Sequence, residues 1–430
     1  MEKITVQTAA DCYLCTSCGI CKNVCPRSCI SYERKDGMYF PMIDRDKCIK
    51  CGICADVCPG LSIDYSRDGK SVSLSEAVAG DCLEQFTAWS RNEELRHIGG
   101  SGGVVMTIVR HLLDIGEYDG AFCVTDYCYS SQVKTELVTA DDAEKLQNSS
   151  KSRYVPISHE NLINYVKDNR CSRIIVVATP CALSGFIKAA EKLKLNIDNY
   201  LLLGLFCEGT FTYNIYDYFA TEKFCKNKKL SSFHFKNKES GGWTGNMKLF
   251  YDDGSFEYYP ASERTSMKQY FWCERCLYCI DKLNVKADIS FGDNYTGENA
   301  SSLGSNSVIV RTEKGKRCIE LCRGMIETAP STLEKICKAQ QVDVREKNYY
   351  LSLEKRNGIN TVIADTDGES VNNYRILIKR LNSTRQFREK PEKFYNRLKK
   401  DKALLRTDRI LALPRRAAGK LKRLIIKDRH

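Results

Sequence analysis

Histidine is scarce in this 430-residue chain: five copies, at 97, 111, 159, 234 and 430, show no paired spacing, so no ligand role falls to them. Long apolar runs are missing too, and none approaches the ~20 residues of a membrane-spanning helix. The opening segment, Met1 to Asp11, lacks the apolar core of a secretory signal. A reducing cytoplasm is therefore the expectation, and 23 cysteines in such a compartment point to cluster chemistry rather than to disulfides. Also absent from the body is an excess of positive charge. From Arg375 to His430 there are 20 Lys/Arg against 5 Asp/Glu, whereas the first 374 residues hold 46 against 49, so the net +12 belongs to the tail. That distribution argues against nucleic acid, which would want basic residues interleaved with aromatics on a folded platform.

What is present begins with two cysteine strings: Cys15, Cys18, Cys21, Cys25 and then Cys48, Cys51, Cys54, Cys58, with Pro26 and Pro59 after each final cysteine. This is the C-x2-C-x2-C-x3-C-P run of a two-cluster [4Fe-4S] ferredoxin, in which three thiolates of a string close on one cube and the fourth reaches the other. One cluster then takes Cys15, Cys18, Cys21 and Cys58, the other Cys48, Cys51, Cys54 and Cys25. Zinc also uses C-x2-C pairs, but it has no use for a fourth cysteine exchanged between strings. Gly19 and Gly52 stand where a side chain would crowd the cluster, and Ile20 and Ile53 could shield it from water. Lys35-Asp36-Gly37 between two apolar runs predicts a hairpin with an Asp-Gly turn. Residues 10 to 65 thus form a complete small ferredoxin domain.

Downstream, Gly99-Gly-Ser-Gly-Gly103 runs into Val104, Val105, Ile108, Val109, Leu112 and Leu113 at helical spacing, with Gly116 as a stop. Unobstructed N–H groups at such a helix start can hold a phosphate, although many glycine loops are only tight turns. Three strand-like runs follow. Ile174 to Ala178 ends at Thr179-Pro-Cys181, Leu201 to Phe206 ends at Cys207, and Ala287 to Phe291 ends at Gly292-Asp293. Ligands of open α/β sheets bind at the carboxyl ends of strands, so these residues could converge on one crevice. Cys273, Cys276 and Cys279 form a third C-x2-C-x2-C string without a fourth member. A cluster there must borrow ligands, and the assignment is Cys181, Cys207, Cys276 and Cys279, with Cys273 as substitute. A structural zinc is the competing reading.

Gly99 to Val104, Tyr118-Asp-Gly-Ala121, Ser152-Arg-Tyr-Val155, Ala178-Thr-Pro-Cys181, Gly204-Leu-Phe-Cys207, Cys276-Leu-Tyr-Cys279 and Ala287 to Asp293 together resemble the coenzyme F-420 hydrogenase/dehydrogenase beta-subunit family over roughly residues 90 to 330. The resemblance implies FAD in the crevice and a [4Fe-4S] cluster beside it. Ser101, Gly102 and Gly103 would hold the FAD phosphates, and Ser152, Arg153, Thr179 and Asp293 would line the flavin site. The family often has Gly-Ser-Lys-Tyr where this chain has Lys151-Ser-Arg-Tyr154, so Lys151 could replace Arg153 as phosphate partner. Coenzyme F-420 as substrate comes from the family name alone, and relatives of this layout include proteins associated with surface-polysaccharide genes. No catalytic residue is assigned.

The expected fold class is α+β and α/β: a bacterial-type ferredoxin domain at 1–75, an α/β flavin-binding domain with its N-terminal part at 76–170 and its C-terminal part, carrying the third cluster, at 171–345, and a basic, mainly helical tail at 346–430. The favoured reading is an FAD-dependent oxidoreductase. It would relay electrons from an external ferredoxin through three clusters and a flavin to a small organic molecule. The alternative is an electron-transfer subunit without a substrate of its own. In the tail, Phe394, Leu398 and Leu405 could share a helix face. Its two readings are a solvated basic helix packed loosely on the body, and attachment to the anionic inner face of a membrane.

Overall fold

The computed structural model describes residues 4–61, 78–345 and 368–403. The N-terminal part carries helices Val6–Asp11, Ile20–Val24 and Ile53–Asp56 around an antiparallel hairpin of β1 (Ile30–Lys35) and β2 (Met38–Ile43). Lys35 pairs with Met38, leaving a two-residue turn in which Asp36 and Gly37 take φ of +52° and +78°. Two positive φ values in a row suit the right-handed twist of the strands, which is why Asp-Gly serves here. Gly19 and Gly52 also have positive φ, at the starts of their helices. At Gly19 the body sets a requirement of its own: a Cβ there would meet Ser158 Oγ at 2.2 Å, so the glycine lets the body approach.

The body is built on β3 (Glu84–Ser90), β4 (Gly120–Cys123), β5 (Glu136–Val138), β6 (Ile174–Ala178), β7 (Tyr200–Leu205), β8 (Leu230–Asn237), β9 (Asn246–Tyr251), β10 (Phe256–Tyr259), β11 (Ile289–Asp293), β12 (Asn306–Val310) and β13 (Ile326–Pro330). Among the described residues these form an eight-stranded sheet, in the order β13-β3-β12-β11-β7-β6-β4-β5, and a three-stranded sheet, β10-β9-β8. The centre β4-β6-β7-β11 is parallel, while β12, β3, β13 and β5 join antiparallel at the flanks. The sheet therefore runs through both 76–170 and 171–345. Helix Val104–Asp114 starts at Gly103, in a left-handed conformation, and buries Val104, Ile108, Val109 and Leu112 on one face of the sheet. Each such side chain contributes about 1.5–3 kcal/mol.

The opposite face carries helices Glu160–Asp168 and Pro180–Lys192, and the ferredoxin part docks there. Ile20 and Val57 share one core with Leu162, Ile163, Ala182, Leu183 and Phe186. A Cβ on Gly185 would meet Ile20 Cδ1 at 2.8 Å, so glycine is needed for that contact. The small sheet, helix Ala261–Phe271 and residues 387–398 enclose an aromatic core including Phe233, Phe235, Phe271, Phe387 and Phe394. The described beginning of the tail is thus packed, not loosely laid on. Asp401, buried, accepts from Tyr270, Arg380 and Arg397. Residues 404–430, the larger part of the basic tail on which the membrane reading rests, lie outside the described residues, Leu405 among them. Among the described residues no helix is long and apolar enough to cross a membrane.

Candidate functional site

Cys15, Cys18, Cys21 and Cys58 are buried together. Burial raises the pKa of each thiol, and their mutual repulsion raises those of Cys15, Cys21 and Cys58 further. The Tyr32 hydroxyl lies 3.0 Å from Cys21 Sγ. Cys25, Cys48, Cys51 and Cys54 line a second cavity, and three of them, Cys25, Cys48 and Cys51, are only partly buried. The exchange of fourth cysteines read from the two strings is therefore what the fold brings together. A fifth thiol, Cys29, lines the same cavity with its Sγ 3.4 Å from that of Cys25. Its position three residues after Pro26 was the only sequence signal for it.

The strand-end cysteines meet the third string. Cys181 opens the helix after β6, Cys207 follows β7, and both line a cavity with Cys273, Cys276 and Cys279. Cys18 of the ferredoxin part lines it too. Cys273 is the most enclosed of the string, with Thr210 Oγ1 donating to its Sγ at 3.3 Å and Met38 Sδ 3.4 Å away. Thr179, expected at the flavin, caps the Cys181 helix, and its Oγ1 lies 3.6 Å from Cys181 Sγ. Two arginines that sequence reasoning passed over also reach this region. Arg275 lines the cavity, and Arg345 donates to the carbonyls of Cys279 and Glu208 at 2.8 and 2.6 Å.

Asp293 and the glycine loop form a separate, neighbouring group. Ser101 Oγ donates to the Ser305 carbonyl at 2.7 Å, and Lys238 Nζ bonds the carbonyls of Arg96, Ser101 and Leu303. A Cβ on Gly102 would meet the Ala88 carbonyl and Asn306 Oδ1, each at 2.8 Å. Ser152 Oγ is the nearest side-chain atom to a Cβ built on Gly100, at 3.1 Å. Lys151 Nζ donates to the Ile98 carbonyl at 2.6 Å, whereas Arg153 spends its donors on the carbonyls of Asp126, Asn148 and Lys151 and stacks over Tyr127. Burial first, then neighbouring cations, lowers the Lys151 ammonium to about 8 and that of Lys238 to about 7. Asp293 accepts from Lys236, Tyr295 and, at 3.4 Å, Trp243. Burial alone would raise its carboxyl, but Lys236 and these bonds hold it below the usual carboxylate range.

The two groups are joined by one segment. Residues 151–153 belong to the basic group, Tyr154 turns the chain at φ +50°, and Val155, Pro156 and Ile157 form a wall of the cysteine cavity. Among the described residues no three His, Cys, Asp or Glu side chains converge as on a single metal ion. Thiols lining a common cavity from several separate elements fit a multi-iron cube. Cations beside a glycine loop, with a buried Ser150 hydroxyl lacking a partner, fit an anionic group such as a pyrophosphate.

A ferredoxin part sharing a core with a mixed sheet whose strand ends carry further cysteines defines an iron–sulfur protein of the electron-transfer class. Residues 85–164 match the N-terminal and residues 171–334 the C-terminal model of the coenzyme F420 hydrogenase/dehydrogenase beta subunit, and residues 14–63 match a 4Fe-4S dicluster domain. The chain belongs to that beta-subunit family, with an N-terminal dicluster domain. It is 25% identical over 368 residues to the coenzyme F420-dependent sulfite reductase of Methanocaldococcus jannaschii, covering 79% of this chain and 52% of that protein. It is 26% identical over 294 residues to the coenzyme F420 hydrogenase subunit beta of Methanothermobacter thermautotrophicus, covering 63% of this chain and 95% of that one. The chain thus spans about half the length of the sulfite reductase and nearly all of the hydrogenase subunit. A chain of the F420-reducing [NiFe] hydrogenase complex from Methanosarcina barkeri superposes with a TM-score of 0.47 at 20% identity, covering 66% of this chain and 96% of that one.

Proposed function

We propose that the chain is an iron–sulfur electron-transfer subunit with three [4Fe-4S] clusters and a flavin site. It would work with a partner oxidoreductase rather than on a substrate of its own. The observation that carries the reading is the cavity shared by Cys18 with Cys181, Cys207, Cys276 and Cys279, because it sets one ferredoxin cysteine beside the strand-end set. The ligands would be Cys15, Cys18, Cys21 and Cys58 for the first cluster, and Cys25, Cys48, Cys51 and Cys54 for the second. Cys181, Cys207, Cys276 and Cys279 would hold the third. The second set, partly exposed, is the natural port for an external one-electron donor or acceptor.

FAD is proposed at the basic group, and when bound a flavin exchanges electrons singly with clusters and in pairs with an organic partner. Ser101 to Gly103 would present backbone N–H groups to its pyrophosphate and Lys151 would neutralise charge there. Lys238 would keep the loop in shape, and Arg153 would fix the 148–153 turn. Asp293, with Lys236 and Trp243, would border the same site. Relatives named for coenzyme F420 support that coenzyme as the two-electron partner, and they favour the subunit reading over an enzyme acting on surface-polysaccharide precursors. The test is anaerobic purification of the tagged chain from its own cells. A stoichiometric hydrogenase, dehydrogenase or reductase subunit is expected. A chain that purifies alone and turns over its own organic substrate would contradict the subunit reading.

A further inference from the structure

Arg275 stands where the first and third cysteine sets meet. It lies on the short turn Glu274–Tyr278, is buried, and donates from Nη2 to the carbonyl of Pro59 at 2.9 Å. Pro59 follows Cys58 directly, so this bond sets the guanidinium beside the first cysteine set. The same side chain lines the cavity of Cys18, Cys181, Cys207, Cys276 and Cys279. Its Nε and Nη1 are buried without a hydrogen-bond partner. Arginine keeps its charge at any working pH and cannot shed these donors by deprotonating. Buried donors are almost always paired, so two orphans on a fixed cation call for an acceptor, and an anionic one bonds them most strongly.

We propose that Arg275 is a redox-tuning residue that serves two centres at once, the first ferredoxin cluster and the third cluster. This rests on the reading that clusters occupy both cysteine sets. Hydrogen bonds to sulfur and nearby positive charge favour the reduced, more negative state of a cluster. Arg275 therefore raises the potentials of both centres together and keeps them matched for transfer of one electron. In that step one centre is oxidised by one electron, the other is reduced by one, and no bond is made or broken.

The experiment compares anaerobically prepared wild type, Arg275→Gln and Arg275→Lys, first by iron and sulfide content and then by EPR-monitored redox titration. Iron is expected to stay at the wild-type level. In Arg275→Gln the first and third centres become harder to reduce by about tenfold in the equilibrium constant, which is ~59 mV for a one-electron step. The second centre, with Cys25, Cys48, Cys51 and Cys54, stays where it was, and Arg275→Lys, which keeps the charge but not the fork, falls between. Unchanged potentials at full iron content would overturn the proposal, and so would an equal shift in all three centres. Loss of iron in both variants would make Arg275 a structural contact and overturn it as well. A wild type with about 8 iron atoms per chain, two cubes' worth, would fail the three-cluster reading itself, and that result is visible before any variant is compared.

Discussion

Lys151 and Lys238, beside the glycine loop, are side chains whose protonation would report an anion bound there. Their pKa values, about 8 and about 7, lie below that of a free lysine, so the unfolded chain binds more protons than the folded one from about pH 7 up to the ordinary lysine range. Without a bound anion, stability from this pair therefore rises with pH across that window. An anion at the loop favours the charged form, so binding takes up protons, and flavin retention is expected to weaken as pH rises from about 7 to 9. Lys151→Met should weaken it by roughly 10- to 100-fold, the range of a lost charge-assisted bond, read from flavin fluorescence after gel filtration at each pH. His159 gives a test of the same sign in a lower pH window. Burial lowers its pKa to about 4, so the unfolded state alone takes a proton as pH falls from 6.5. Stability is lost between those values, by roughly 3 kcal/mol at about 1.4 kcal/mol per unit. His159→Gln should flatten that stretch of the Tm-versus-pH curve, and an unchanged slope would rule the histidine out as its cause.

At the scale of elements, legibility followed sequence distance. The ferredoxin strings, the Asp-Gly hairpin, helix Val104–Asp114 and the three strand ends are local patterns, and each lies within a residue or two of where its spacing placed it. Lys238 gave no local sign, because its partners at Ser101 and Leu303 are 137 and 65 residues away and are brought near only by the small sheet inserted between β7 and β11. The single crevice expected at the strand ends became two groups, because the end of β11 faces Lys236 while those of β6 and β7 face the third string. The loose packing expected of the tail fails over its described part for a related reason: Phe394 was legible on a helix face, but its partners in the aromatic core lie far away in sequence, and it and Phe387 are 0% and 3% exposed there. Phe394→Ala should cost about 3–5 kcal/mol, measured by denaturant unfolding. A loss under 1 kcal/mol would restore the loosely attached helix. Deletions aimed at the basic terminus must therefore begin after residue 403, beyond the described contacts of Asp401.

For the whole molecule, the docking of the ferredoxin part matters more than either part alone. Ile20 against Gly185, Arg275 on the Pro59 carbonyl and Cys18 in the shared cavity join the ferredoxin part and the body in one core, so the proposed relay would not depend on a diffusing domain. Cys279→Ser should then remove about one third of the iron and interrupt reduction of flavin by an external one-electron donor, while the ferredoxin signals persist. Damage to all the centres would mean that the third string is structural. The most direct test of the account is the metal content of the anaerobically purified wild-type chain. Three cubes require about 12 iron and about 12 acid-labile sulfide per chain, whereas about 8 of each, or zinc in place of the missing iron, would contradict the third cluster and the relay built on it.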